Sequence, residues 1–267
     1  MLPQLVTEFF ANHQTALWLL TIVADLGCAV LLFRMFGKQG LYAVVILGIL
    51  LSNLQGPKLT LIWLPFLGEL QTSMGVILYS GIYFATDLIS EKYGWREANR
   101  AVQIGFVVSV IIVLMISISL AFQPSTRPET AEFSRNVHDA FNTLFNFTPR
   151  FVFGSLLAYY ISQSFDVWMF HFIRNKTQGR HLWLRNNLST MCSQGIDTLV
   201  YSLVVWWGVV ELETAIALGA VKYLLKIIIA LLDTPFIYLG RSWSVQKQDW
   251  AENEITNKEY YAAAEVE

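Results

Sequence analysis

The chain has 267 residues, of which 55% are hydrophobic and only 14% charged, against about 25% charged in an ordinary soluble domain. A formal net charge of −2 without a basic stripe outside the loops argues against nucleic-acid binding, and the long apolar runs leave no room for a separate soluble domain. Cys28 and Cys192 both fall inside apolar stretches; their placement supports neither a disulfide framework nor a metal site, and they read as small packing residues.

The first ten residues lack a basic region and do not read as a cleaved signal peptide. Beyond them, seven stretches approach the roughly 20 apolar residues that cross a bilayer core as a helix. Residues 15–36 are the first, interrupted by Asp25. Residues 41–54 are the second, shorter and ending in the polar, helix-breaking run Ser52-Asn53-Leu54-Gln55-Gly56-Pro57-Lys58. Residues 59–70 are apolar but contain Pro65, and read as a re-entrant or extended connector. Residues 73–89 are the third span and run into Glu91-Lys92-Tyr93-Gly94; the charge-free residues 101–122 are the fourth. Residues 123–148, with Pro124 and Pro128, read as a polar loop. Residues 150–172, 188–210 and 215–239 complete the set, and 241–267 form a polar, solvated tail.

The expected fold is therefore an all-α integral membrane bundle of six to seven transmembrane helices, a single domain over residues 1–240 with a cytoplasmic tail over 241–267. Loop charge orients it. Arg34, Lys38, Lys92, Arg96, Arg100, Arg174, Lys176, Arg180, Arg185, Arg241, Lys247 and Lys258 fall on one side, 12 of the 18 basic residues; Lys58, Arg127, Arg135 and Arg150 fall on the other. The positive-inside rule makes the first side cytoplasmic, with the N-terminus outside and the C-terminus inside. Gly154, Ala158 and Ser162, four apart, form a flat stripe of the kind that lets helices approach closely in lipid, and Ala215 with Gly219 begins another.

The informative residues are the polar ones within the spans, because a charge at mid-membrane costs about 2.5–3.5 kcal/mol on insertion scales and needs a cavity or a partner. They are Asp25, Asp87, Glu91, Asp166, Asp197, Lys222, Lys226 and Asp233, joined by Asn53, Gln55, Gln163 and Gln194. Asp87 and Glu91 are four apart and share a helix face, as do Gln163 with Asp166 and Gln194 with Asp197. Lys222, Lys226 and Asp233 lie along one stripe, and Pro235 frees a backbone carbonyl beside it. Two readings stand together. In one, acids and lysines of different spans neutralise each other, Asp166 clamps a loop arginine such as Arg174, and Asp25 is a structural acid bonded to its neighbours. In the other, the same groups enclose a polar centre where transporters bind cargo.

Enzyme readings lack parts. The four histidines are scattered, and there is no His-Glu-x-x-His, Gly-x-Ser-x-Gly, Walker or Gly-x-Gly-Asp motif. No catalytic residue, cofactor or metal is expected, and the energy source is open.

Three stretches carry a resemblance. The first is Thr86-Asp87-Leu88-Ile89-Ser90-Glu91-Lys92-Tyr93-Gly94. The second holds Ala158-Tyr159, Ile161-Ser162-Gln163 and Asp166-Val167, continuing through Leu182-Trp183-Leu184-Arg185-Asn186 and Ser189-Thr190 to Ser193-Gln194 and Asp197-Thr198. The third has Tyr223 and Lys226 before Asp233-Thr234-Pro235-Phe236, and Ser52-Asn53 with Lys58 is a weaker match. Over residues 40–240 the chain resembles the queuosine precursor transporter family, also called vitamin-uptake-transporter-like. The resemblance implies a bacterial, multi-pass inner-membrane importer of 7-deazaguanines such as preQ0 and preQ1, with a fold similar to the substrate-binding component of energy-coupling-factor vitamin transporters.

The residues suit such a cargo. A carboxylate accepts from the N–H and amino donors of a guanine-like edge, and an amide or lysine serves its carbonyl. The expected site is Asn53, Lys58, Asp87, Glu91, Arg185, Gln194, Asp197, Lys222, Lys226 and Asp233, with Asp87, Asp197 and Lys226 foremost; Trp183, Trp206, Tyr83 and Tyr223 are candidate stacking walls. The alternatives are a subunit for another vitamin-like solute that docks an ATPase module through the Gly154-Ala158-Ser162 stripe, and a scaffold whose charges only hold the bundle together. A homodimer is open as well.

Overall fold

In a computed structural model, the protein is described over residues 9–65, 67–145, 149–206 and 211–243. The first helix, α1 (Gln14–Gln55), breaks at Gly37, whose backbone sits at φ 58° and ψ −133°. A residue with a Cβ is strained there, and glycine is not. After the break, Gly40 packs on the Leu32 carbonyl so closely that no Cβ fits. A straight helix would hold those residues about 12 Å apart, so the chain turns back and α1 forms two arms, divided between residues 15–36 and 41–54.

Residues 59–70 are extended, but as part of a β-hairpin. Strand β1 (Leu59–Leu64) pairs antiparallel with β2 (Gly68–Ser73), in register from Leu59 opposite Ser73 to Leu64 opposite Gly68. Thr15 at the start of α1 holds the hairpin, its hydroxyl and the Trp63 backbone exchanging two bonds of 2.9 Å. The all-α expectation needs this correction: Pro65 and Gly68, at φ 75°, break the helix and supply a turn.

Helix α2 (Gly75–Tyr93) is the centre of the protein, packed by α1, α3, α5 and α7, with every residue from Gly75 to Ser90 except Tyr79 buried. It ends at Gly94, which adopts φ 82° and ψ −177° and returns its N–H to the Ile89 carbonyl; this explains the Tyr93-Gly94 pair in the sequence. Helix α3 (Trp95–Ala121) follows at once and buries only Ala98, Ala101, Val102, Gly105 and Ser109. Among the described residues, α1 and α3 are the two helices long and apolar enough to cross a membrane.

The stretch read as a polar loop contains helix α4 (Ala131–Phe145). Its apolar residues Phe133, Val137 and Phe141 recur every four positions and are exposed, so one stripe of an otherwise polar segment is greasy. That periodicity was hidden by the segment's low overall hydropathy. Helices α5 (Pro149–Lys176), α6 (Leu182–Tyr201, followed by a π-helical turn at Ser202–Trp206) and α7 (Leu212–Ser242) complete the bundle. Gly154, Ala158 and Ser162 are all buried inside the chain, where α5 packs on α3 and α6. Gly219 lets α7 approach Thr198 and Ser202; the Ala215 side chain, and the tail beyond 243, fall outside the described residues.

Candidate functional site

Tyr79, Tyr83, Asp87 and Glu91 recur every four residues along α2 and so form one stripe, about 18 Å long at 1.5 Å per residue. The polar faces of α5, α6 and α7 meet this stripe. The result is a buried polar column with three tiers.

The first tier is built on Asp197 of α6. Lys226 of α7 donates to its Oδ2 at 2.5 Å, and Tyr79 and Ser162 donate to its Oδ1 at 2.9 and 3.3 Å. The Tyr83 hydroxyl sits 2.7 Å from Ser162, and the Lys226 ammonium lies 5.0 Å from the Tyr79 ring centre. Lys222, one turn away, lies 5.3 Å from the Tyr201 ring.

The second tier is acidic. The Asp87 and Asp166 carboxyls face one another. Thr190 donates to Asp87 at 3.1 Å, Ser193 to Asp166 at 2.8 Å and Asn186 to Asp233 at 2.8 Å. Thr86 donates to Gln163 at 3.2 Å. Several atoms here have no partner: Asp87 Oδ1, Asp166 Oδ2, Asn186 Oδ1, Gln163 Nε2 and both ends of the Gln194 amide. Buried polar atoms in folded proteins are nearly always paired, and among the described residues these are not.

The third tier is a closed ion pair. Arg185 places Nε and Nη2 on the Glu91 carboxylate at 2.6–3.1 Å and Nη1 on the Gly179 and Arg180 carbonyls, both at 3.1 Å. Those contacts engage the whole donor fork of a guanidinium. Arg241 joins Glu91 from outside at 3.1 Å. In this conformation Arg185 and Glu91 spend their charge on each other.

Of the ten expected site residues, the fold therefore brings Asp87, Glu91, Arg185, Gln194, Asp197, Lys226 and Asp233 into one column, with Lys222 at its edge. Asn53 and Lys58 are not brought there. Both are exposed, and the Asn53 amide is spent on the Ile49 carbonyl at 2.9 Å. Asp166 does not clamp Arg174, which donates instead to the Ser90 carbonyl at 3.3 Å. Asp25 stands apart, half-buried on α1 with its carboxylate against the bare Cα of Gly81. Of the proposed walls, Tyr83 lies in the column; Tyr223 is turned to the Met191 carbonyl at 3.1 Å, and Trp183 is 52% exposed. The Trp206 side chain falls outside the described residues.

Tyr79 was missed as a site residue, and Asp166, Asn186, Thr190 and Ser193 were seen only as family positions or helix-face polars. The four-residue spacing from Tyr79 to Asp87 was the available signal.

The chain is 31% identical over 225 residues to the "Probable queuosine precursor transporter" of Bacillus subtilis (strain 168), covering 84% of this chain and 93% of that protein. It is 28% identical over 163 residues to the "Queuosine precursor transporter" of Escherichia coli (strain K12), covering 60% of this chain and 68% of that one. No solved structure matches. The pattern of the family described as "Putative vitamin uptake transporter" matches residues 73–240, which hold all seven helix-borne residues of the column. The chain belongs to that family.

Proposed function

We propose that this protein is a multi-pass inner-membrane importer of queuosine precursors, 7-deazaguanines such as preQ0 and preQ1, with the flat base held between α2, α5, α6 and α7. The observation that carries the reading is the polar column: buried carboxylates and amides from four helices converge, and several of their atoms have no partner among the described residues. A guanine-like edge offers two adjacent donors and a carbonyl, which carboxylate oxygens and amide N–H groups match. Tyr79 and Tyr83 supply ring surface beside it. The names of both relatives point to the same cargo. In this reading six to seven segments cross the bilayer, the N-terminus is outside and the C-terminus cytoplasmic, as loop charge directs.

The scaffold alternative explains the two ion pairs but not the orphaned atoms of the middle tier. An ATPase module would have to dock elsewhere than on Gly154-Ala158-Ser162, which the chain buries within itself.

The test is thermal stabilisation of the detergent-purified protein by preQ0, preQ1, queuine and guanine, paired with uptake by cells carrying Asp197→Ala. Stabilisation by a deazaguanine but not by guanine, with uptake lost in the variant at matched protein levels, is expected. A well-folded sample that no deazaguanine stabilises, or normal uptake by the variant, refutes the reading.

A further inference from the structure

The middle tier is rich in acceptors and poor in cations. Among the described residues no hydroxyl, amide or cation donates to Asp87 Oδ1, Asp166 Oδ2 or Asn186 Oδ1, on side chains that are 0% exposed. The charged groups that face them from each packed helix are already accounted for. On α2, Glu91 is held by Arg185; on α6, Arg185 is spent on Glu91 and two carbonyls, and Asp197 is held by Lys226 of α7. On α5 the facing charge is Asp166 itself, and on α7 it is Asp233, bonded to Asn186. Among the described residues, Asp87, Asp166 and Asp233 thus have no cationic partner. Gln194, 1% exposed and one turn from Thr190 on the same face of α6, has neither amide atom bonded. It is an independent sign that this tier is built around a guest.

From the acceptor pattern we infer that the middle tier is a cation-accepting subsite, and that it selects 7-deazaguanines bearing an aminomethyl group, charged as an ammonium, over those bearing a nitrile. This rests on the reading that the chain carries 7-deazaguanines. An ammonium presents three donors and no acceptor, which suits three buried oxygens that lack donors. Its bonds to carboxylates are charge-assisted and about twice as strong as neutral ones. It also supplies the positive charge that a buried, facing carboxyl pair lacks. A nitrile offers only a lone pair; it leaves the oxygens unserved and turns like charge towards them. Sites built to bond a polar group discriminate against analogues that lack it far more sharply than sites that only sense size.

The experiment is a binding titration of the purified full-length protein with preQ1 (7-aminomethyl), preQ0 (7-cyano) and the uncharged 7-hydroxymethyl analogue. The expected result is a Kd for preQ1 at least about tenfold below that for preQ0, with the hydroxymethyl compound between them. Asp166→Asn is expected to bring the ratio to within about threefold, chiefly by weakening preQ1, whose charge-assisted bond it removes. Equal affinity for preQ1 and preQ0 in the unaltered protein overturns the inference, and so does an unchanged ratio in the variant. Should Asp166→Asn fail to fold, the three-ligand comparison on the unaltered protein decides by itself. If none of the three binds, the deazaguanine reading falls and this subsite with it, a result distinct from ligands that bind alike.

Discussion

Lys226→Met tests whether the first tier is one electrostatic unit. The Lys226 and Asp197 side chains are 7% and 10% exposed and meet at 2.5 Å. Removing one member of a buried pair costs about 3–5 kcal/mol, because the other is left charged and uncompensated. The lower end applies here, since Tyr79 and Ser162 continue to donate to Asp197. About 3 kcal/mol lowers the melting temperature by roughly 6–12 °C, at 2–4 °C per kcal/mol for a chain of this size. Asp197→Asn strands the ammonium instead and costs a similar amount. The double variant removes both charges and is expected to lie within about 1 kcal/mol of the unaltered protein. Thermal unfolding in detergent, followed by the fluorescence of the nine tryptophans, reads all four corners of the cycle. Uptake of labelled precursor provides the second axis: the double variant regains stability but not transport. Single effects that simply add in the double variant would refute the pair as a unit, and recovered transport would refute its place in the site.

Two further substitutions probe the frame that holds the column. Arg185→Lys keeps the charge but replaces a fork that serves Glu91 and two carbonyls with a single ammonium; a loss of about 2 kcal/mol or more is expected from unsatisfied buried acceptors, and a melting temperature within 1 °C of the unaltered protein, roughly a few tenths of a kcal/mol, would count against it. Gly94→Ala forces a Cβ into a φ of 82° with ψ −177°, a region occupied almost only by glycine at a cost of about 1–3 kcal/mol for other residues. A thermal melt should show that loss, and an unchanged melt would mean the α2–α3 junction relaxes freely.

Much of this protein was legible in the chain itself. Low charge and long apolar runs dictate a helical membrane protein, since a bilayer offers the backbone no hydrogen bonds and a helix satisfies them internally. Gly37, Gly94 and Pro65 mark breaks that the fold uses. Spacing along one helix also told correctly that Asp87 and Glu91 share a face, because 3.6 residues per turn is a local property. Local order hid other elements: the hairpin at 59–73 needed a partner strand to be visible, and α4 lies in a stretch whose average polarity masks its apolar stripe.

The sequence by itself determined which ionisable groups enter the apolar spans, and that they need partners. Only the tertiary structure decided which partner each received. Asp197 takes Lys226, Glu91 takes Arg185, and Asp87, Asp166 and Asp233 receive no cation among the described residues. The reason is that helical periodicity sets the face a residue occupies on its own helix, whereas the rotation and height at which two helices meet come from the packing of all their side chains together. Asn53 and Lys58 show the other side of the same limit: polar residues at a span's end look like ligands in sequence, yet the fold leaves both at the surface.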